Sequence, residues 1–175
     1  MPGREALLSK NPVYHGKILN LRVDSVRLPS GKRTIREVVE HRPAVCIIPM
    51  INDEEVLLIR QYRYAVGEDL LEIPAGIVEE DETFADAAQR ELQEEIGYRG
   101  AISEIARLFS SPGFSEELLV FFIARDLIPS RLEPDDDEFI ETVRVPVARI
   151  PEMLRNGDIK DGKTFSALCW LLNTL

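Results

Sequence analysis

The chain has 175 residues and a formal net charge of −10 at pH 7, with 31 acidic side chains against 21 Lys and Arg side chains. A chain of this length most simply forms one domain with a sizeable hydrophobic core. The excess negative charge argues against nucleic acid or an anionic membrane surface as a partner, since both would repel it.

Three features of the sequence predict a cytoplasmic protein. No stretch approaches the length of a membrane span, and the first residues, MPGREALLSKNP, lack the apolar segment of a secretory signal. Cys46 and Cys169 lie in separate apolar runs. We interpret them as buried, reduced packing residues rather than as a disulfide or a metal-binding pair.

The predicted elements mix strands and helices along the chain. A β-hairpin is predicted over residues 18–42, with its turn at the Pro-Ser-Gly-Lys cluster 29–32. Hydrophobic patterning and capping residues predict the remaining elements: strands at 44–51, 56–62, 70–73, 105–109, 118–124 and 141–145, a helix between an N-cap at Thr83 and a stop at Gly97, and helices near 148–156 and 164–175. This order predicts an α/β fold in which a mixed sheet lies between helices.

The segment 76–98, GIVEEDETFADAAQRELQEEIGY, carries the candidate chemistry. On its helix, Glu91 and Glu95 lie four residues apart on one face, with Glu94 beside them. Carboxylates this close repel one another unless a cation neutralises them. Hard oxygen ligands of this kind favour Mg²⁺ or Mn²⁺ over zinc. The segment therefore predicts a divalent-metal site on a helix.

Two other residues of the segment complete this interpretation. Arg90 lies four residues before Glu94, so the two side chains can pair and leave Glu91 and Glu95 for a metal ion. Gly76 is expected to allow a turn that a side chain would obstruct. The simpler alternative is a solvated acidic helix face, which is what such clusters usually are.

The same segment resembles the Nudix box, Gly-x5-Glu-x7-Arg-Glu-aliphatic-x-Glu-Glu-x-Gly-hydrophobic. The matching positions are Gly76, Glu82, Arg90, Glu91, Leu92, Glu94, Glu95, Gly97 and Tyr98. The resemblance implies an α/β/α Nudix sandwich that hydrolyses a phosphoanhydride, a reaction that needs charge compensation and a positioned water. It implies metal ligation by Glu91, Glu95 and the carbonyl of Ala75. Glu94 is expected to add a ligand or a supporting contact, and Arg90 to orient the carboxylates.

Three further segments resemble the ADP-ribose pyrophosphatase branch of this family: Arg-Gln-Tyr-Arg at 60–63, Leu-Glu-Ile-Pro-Ala-Gly at 71–76 and Ser-Pro-Gly-Phe at 111–114. Arg63 is the predicted phosphate clamp, because a guanidinium fits a phosphate with two hydrogen bonds. Arg60 is a second candidate, and an exposed charge on the strand is the alternative for both arginines. Glu72 is expected to accept a ribose hydroxyl or to partner one of these arginines. Phe114 is expected to pack near the ligand or to close its loop onto the core.

The resemblance also implies a catalytic acid on the acidic loop at 133–138. Glu138 is the predicted general base, with Asp136 and Glu141 as alternatives. For any one acid in so dense a run, simple solvation is the competing interpretation. Glu82 is expected to anchor the loop of the box or to touch the metal through water.

The chain is predicted to have two parts within one domain. Residues 1–43 form an N-terminal β extension, and residues 44–175 form the Nudix hydrolase domain. In the branch that the sequence resembles, this extension builds a homodimer and helps to form the adenosine pocket. An edge hairpin in a monomer is the alternative.

The predicted function is Mg²⁺-dependent hydrolysis of ADP-ribose to AMP and ribose 5-phosphate, with Mn²⁺ as a possible replacement. The expected partner is a small nucleoside diphosphate, not nucleic acid or a membrane. ADP-glucose and GDP-mannose are alternative substrates, since enzymes for these compounds differ at the pocket and not at the box. A non-catalytic ADP-ribose sensor is the alternative of another class, and the intact box argues against it.

Overall fold

The computed structural model describes residues 3–133 and 139–174 of the chain. The chain divides into two compact units. The first comprises Met1–Pro43 with Phe109–Leu118, and the second comprises Ala44–Leu108 with Leu119–Leu175. Within the described residues, every helix is too short or too polar to cross a membrane.

The first unit is built on a four-stranded antiparallel sheet. Its strands are β1 (Ala6–Ser9), β2 (Pro12–His15), β3 (Leu19–Arg27) and β4 (Arg33–His41). β4 pairs with β3 over its whole length, which confirms the predicted hairpin, and β1 and β2 share the other edge of β3. The sequence did not predict β1 and β2, because both are short and exposed at every position and therefore lack a hydrophobic period.

The second unit is built on a seven-stranded mixed sheet with three helices. Its elements are β5 (Ala44–Asn52), β6 (Glu55–Arg63), β7 (Glu68–Glu72), β8 (Ala75–Ile77), α1 (Phe84–Glu95), β9 (Tyr98–Phe109), β10 (Leu118–Pro129), β11 (Ile140–Pro146), α2 (Ile150–Asn156) and α3 (Gly162–Leu172). The strand order is β11-β6-β5-β10-β9, with β7 added to β6 and β8 added to β5. β10 runs parallel to β5, whereas β6 and β8 run antiparallel to it.

Helices cover both faces of this sheet. Residues 44–50 of β5 are all buried, as expected for a central strand that is covered on both sides. Alternate β5 residues pack in one cluster with residues of α2 and α3, among them Ile150 and Leu168. α1 contacts β5 and β8, and its buried Ala87 and Leu92 lie outside that cluster, so α1 covers the opposite face. The predicted α/β fold with a mixed sheet between helices is confirmed.

The boundaries of several elements differ from the prediction. β9 begins at Tyr98 instead of residue 105, and β10 continues to Pro129 instead of ending at 124. Many of the added residues are exposed or polar, so they carry little hydrophobic signal. α3 begins at Gly162 because Asp161 accepts a hydrogen bond from the Thr164 amide and caps the helix. Cys169 is half-buried, not fully buried as predicted.

Candidate active site

α1 begins and ends where the sequence predicts. The Thr83 hydroxyl accepts a hydrogen bond from the Asp86 amide at 3.1 Å, which satisfies one of the open N–H groups of the first turn. The chain leaves the helix through Gly97, whose φ of 75° is accessible to glycine at little cost. These two ends fix which residues of the box lie in the last two turns.

Arg90 joins three carboxylates and the loop before the helix. Its Nε and Nη2 donate to the two oxygens of Glu82 at 2.9 and 3.0 Å. Its Nη1 donates to Glu91 at 2.6 Å and to Glu94 at 2.9 Å, and its Nη2 also donates to the Ile77 carbonyl at 3.1 Å. The predicted pairing with Glu94 is confirmed. The expectation that this pairing leaves Glu91 apart from Arg90 is wrong, because one guanidinium has enough N–H groups to reach all three acids.

In this cluster, Arg90 and the acids each favour the ionised form of the other. The hydrogen bonds from Arg90 hold the pKa of Glu82 below its ordinary value, against the opposing effect of burial. The same contacts with Glu82 and its neighbours raise the pKa of Arg90. Glu82 also accepts a hydrogen bond from the Glu79 amide at 3.0 Å, so it anchors the loop, as one of its two predicted roles requires.

Gly76 is required by the position of Glu91 and not by a turn. It lies inside β8, paired with Val45 of β5. A Cβ atom at this position would lie 1.9 Å from Oε1 and 2.1 Å from Cδ of Glu91. The expectation of a turn is therefore wrong, and the absence of a side chain instead leaves room for a buried carboxylate.

Glu95 and Ala75 lie together, as the predicted metal site requires. One Glu95 oxygen accepts a hydrogen bond from the Ala75 amide at 3.0 Å, and the side chain is buried. The segment before Ala75 is fixed from the sheet, where the Ile47 amide donates to the Pro74 carbonyl at 2.9 Å. The backbone at Ala75 and the last turn of α1 therefore hold each other in place.

The donor atoms at this site suit a hard divalent cation. They are carboxylate oxygens, which Mg²⁺ and Mn²⁺ prefer over nitrogen or sulfur. In the described part of the chain, no three His, Cys, Asp or Glu side chains are already arranged around one ion position. Arg90 instead provides the positive charge beside Glu91 and Glu94.

A second charged cluster lies at the end of β7. The buried carboxylate of Glu72 accepts from Nε and Nη2 of Arg63, both at 2.8 Å. Of the two predicted roles of Glu72, this contact satisfies the partnership with an arginine. Lys163 of α3 also donates to Glu72. Burial alone would raise the pKa of Glu72, but Arg63 and Lys163 outweigh it and hold that pKa below its ordinary value.

Sequence reasoning missed the contribution of α3 to this cluster. Nζ of Lys163 lies 3.0 Å from the Asp161 carboxylate, and Asp161 accepts from both the amide and the hydroxyl of Thr164. The Thr164 hydroxyl in turn accepts from the Ile73 amide at 2.8 Å. The run Asp-Gly-Lys-Thr has the spacing of a helix cap, which predicts a helix start here but not its contact with β7.

The other predicted site residues lie apart from these two clusters or outside the description. Arg60 precedes Arg63 by three positions in β6, so its side chain lies on the opposite face of the strand. Its Nε lies 3.5 Å from a carboxylate oxygen of Glu141. Phe114 belongs to the first unit and is more than half exposed. Glu138 and Asp136, two of the three candidates for the general base, lie outside the described residues.

Comparison with known families identifies the fold and its box. A family model described as "NUDIX domain" matches residues 40–168. The chain belongs to the Nudix hydrolase family. A second model, described as "Nucleoside diphosphate sugar hydrolase N-terminal domain", matches residues 5–39 and thus the strands that precede the Nudix domain. Nudix hydrolases generally use divalent metal ions, which agrees with the oxygen donors described above.

Several Nudix relatives are similar over nearly the whole chain. An ADP-ribose pyrophosphatase of Bacillus subtilis is 32% identical over 170 residues, which cover 95% of this chain and 92% of that protein. A GDP-mannose pyrophosphatase of Salmonella arizonae is 34% identical over 181 residues, covering 96% of this chain and 92% of that protein. A crystal structure of an ADP compounds hydrolase superposes with a TM-score of 0.88 at 26% identity, covering 98% of this chain and 93% of the other.

Proposed function

We propose that this protein hydrolyses the diphosphate of ADP-ribose, with water as co-substrate, to give AMP and ribose 5-phosphate. The observation that carries the proposal is the pair of buried carboxylates, Glu91 and Glu95, packed against the Gly76 and Ala75 backbone. Similarity over 95% of the chain to a protein named ADP-ribose pyrophosphatase supports the choice of substrate.

In this proposal, Glu91, Glu95 and the Ala75 carbonyl hold Mg²⁺, or Mn²⁺ in its place, with Glu94 as a further ligand or support. When bound, such an ion neutralises phosphate oxygens and makes a bound water more acidic. The Ala75 amide orients the Glu95 carboxylate through its hydrogen bond. Arg90 keeps the acids of the box from repelling one another and fixes their directions.

Arg63 is the proposed contact to the diphosphate. Two of its nitrogens donate hydrogen bonds to Glu72, which holds the guanidinium in place. Its side chain is 39% exposed, so a ligand in solvent can reach it. Glu72 is proposed to support this contact by orienting Arg63. Glu138 is the proposed base that takes a proton from the attacking water, with Asp136 and Glu141 as alternatives.

The first unit offers a place for the nucleoside. A cavity of about 440 Å³ lies within it, lined by side chains that include His15, Asn20, Glu40 and Arg42. These groups can hydrogen-bond a base or a ribose. The cavity supports the proposed role of residues 1–43 as an extension that helps to bind adenosine. A cytoplasmic location remains a prediction.

A second candidate function is hydrolysis of another nucleoside diphosphate sugar, which the similarity to a GDP-mannose pyrophosphatase favours. Formation of the nucleoside monophosphate should be measured for ADP-ribose, ADP-glucose, GDP-mannose and NADH, each with Mg²⁺ and with EDTA. We expect kcat/KM to be highest for ADP-ribose and activity to be lost in EDTA. In the same assay, Glu95→Gln should lower kcat at least about 100-fold, because it removes a charge from the proposed metal site.

Glu80→Gln is the matched control, since Glu80 is an exposed acid of the same box loop. It should retain normal kinetics, and the circular dichroism spectra of both variants should match the wild type. A preference for GDP-mannose would change the proposed substrate and leave the proposed metal chemistry unchanged. Near-normal turnover by Glu95→Gln would contradict the metal assignment. Tight ADP-ribose binding without turnover of any compound would favour the sensor.

A further inference from the structure

Glu72 is a buried carboxylate that two cations share. Its side chain is 1% exposed, and its two oxygens are both hydrogen-bonded to Arg63. Lys163, in α3, donates a hydrogen bond to one of the same two oxygens. A buried carboxylate that loses its cation is strongly destabilised, so the number of cations on Glu72 determines how freely either one can move away.

The two cations differ in their surroundings. The Arg63 side chain is 39% exposed, whereas that of Lys163 is only 16% exposed. Asp161 holds the Lys163 ammonium at 3.0 Å, and Asp161 is itself fixed as the N-cap of α3. Burial opposes the charge on Lys163, but the carboxylates of Asp161 and Glu72 outweigh it and raise its pKa. Lys163 is therefore the fixed cation of the pair, and Arg63 is the one that can turn toward a ligand.

We propose that Lys163 is a positioning residue for the diphosphate. It keeps the buried Glu72 carboxylate neutralised while Arg63 transfers part of its hydrogen bonding to a substrate phosphate. Without Lys163, the same movement of Arg63 would leave a buried charge with no cation, so Arg63 would stay on Glu72. This inference rests on the proposed role of Arg63 in binding the diphosphate.

The test is Lys163→Met, which keeps an unbranched side chain and removes the charge. We expect KM for ADP-ribose to rise roughly ten- to hundredfold, as for loss of a charged hydrogen-bond partner, with kcat changed less than about threefold, as expected for lost ground-state binding. Lys163→Arg should restore most of the affinity. The control is Lys160→Met, since Lys160 precedes the same helix but pairs with the exposed Glu68. It should leave both constants unchanged.

A double-mutant cycle with Glu72→Gln separates this role from others. Once position 72 is uncharged, Lys163→Met should have little further effect on KM. A full KM increase in the Glu72→Gln background would overturn the proposal, because Lys163 would then act on the substrate directly. An unchanged KM with reduced kcat and a lower Tm would also overturn it, because the role would then be structural.

These outcomes differ from failure of the proposed function. If the wild type prefers another nucleoside diphosphate sugar, the same comparison applies to that compound, since the argument concerns the diphosphate. If no compound is cleaved, the proposed function fails. The Kd of ADP-ribose, measured by calorimetry for the same variants, then supports or overturns the role of Lys163.

Discussion

At the level of single residues, the contact between Gly76 and Glu91 has the most direct functional consequence. The two residues are fifteen positions apart in sequence, yet a methyl group on one would overlap the carboxylate of the other. The overlapping atoms belong to the end of a flexible side chain, so that side chain can move aside. A change at Gly76 should therefore affect where Glu91 lies more than whether the protein folds.

We expect Gly76→Ala to lower kcat/KM at least about 100-fold, because the Glu91 carboxylate must leave its position, while Tm falls by only about 2–4 °C. Kinetics and thermal unfolding measure the two effects. Gly162→Ala is the matched control, since a Cβ there meets nothing within 4 Å. Equal activity of the two variants would show that the position of Glu91 does not matter.

At the level of elements, Arg90 ties the loop after β8 to α1. It binds Glu82 of that loop with two hydrogen bonds and the Ile77 carbonyl with a third. Because Arg90 holds the pKa of Glu82 below its ordinary value of about 4.5, this contact stabilises the fold only while Glu82 is ionised. The stabilisation is complete above about pH 5 and is lost as pH falls through the lowered pKa.

We expect Glu82→Gln to reduce the free energy of unfolding by about 1 kcal/mol at pH 7. The difference from the wild type should shrink as pH falls through the lowered pKa of Glu82, because the wild-type carboxyl then becomes protonated. Urea unfolding at several pH values measures both quantities. Glu80→Gln should show no such difference. A difference that stays constant as pH falls would mean that the charge of Glu82 is not its source.

At the level of the whole molecule, the predicted homodimer involves the first unit, which exposes several large apolar side chains. Large apolar side chains on or beside its strands are more than half exposed: Leu7, Val13, Tyr14, Ile18 and Ile35. Covering such side chains would favour association, because it removes apolar area from water. Their exposure supports the homodimer that the sequence predicts, and that assembly stays a proposal.

We expect light scattering after size exclusion to give twice the chain mass of 19.8 kDa. The double variant Val13→Asp with Ile18→Asp should elute as a monomer, since burying an unpaired charge opposes association. Tyr64→Asp changes an equally apolar and more exposed residue of the second unit, and it should remain dimeric. A monomeric wild type, or dissociation by the Tyr64 variant, would contradict this interface.

The sequence by itself determined the elements and chemistry that depend on local patterns. Alternation and helical periodicity predicted the hairpin, the central strands and α1, and the spacing of the box predicted the pair of Arg90 with Glu94. These features follow from residues close together in the chain, whose geometry is set by the backbone period.

Only the tertiary structure decided which distant residues meet. Packing of α1 on β8 brings Glu91 against Gly76, and packing of α3 beside β7 brings Lys163 to Glu72. Such contacts depend on how elements pack across the sheet. The hydrophobic periodicity of a single sequence does not show which elements pack together.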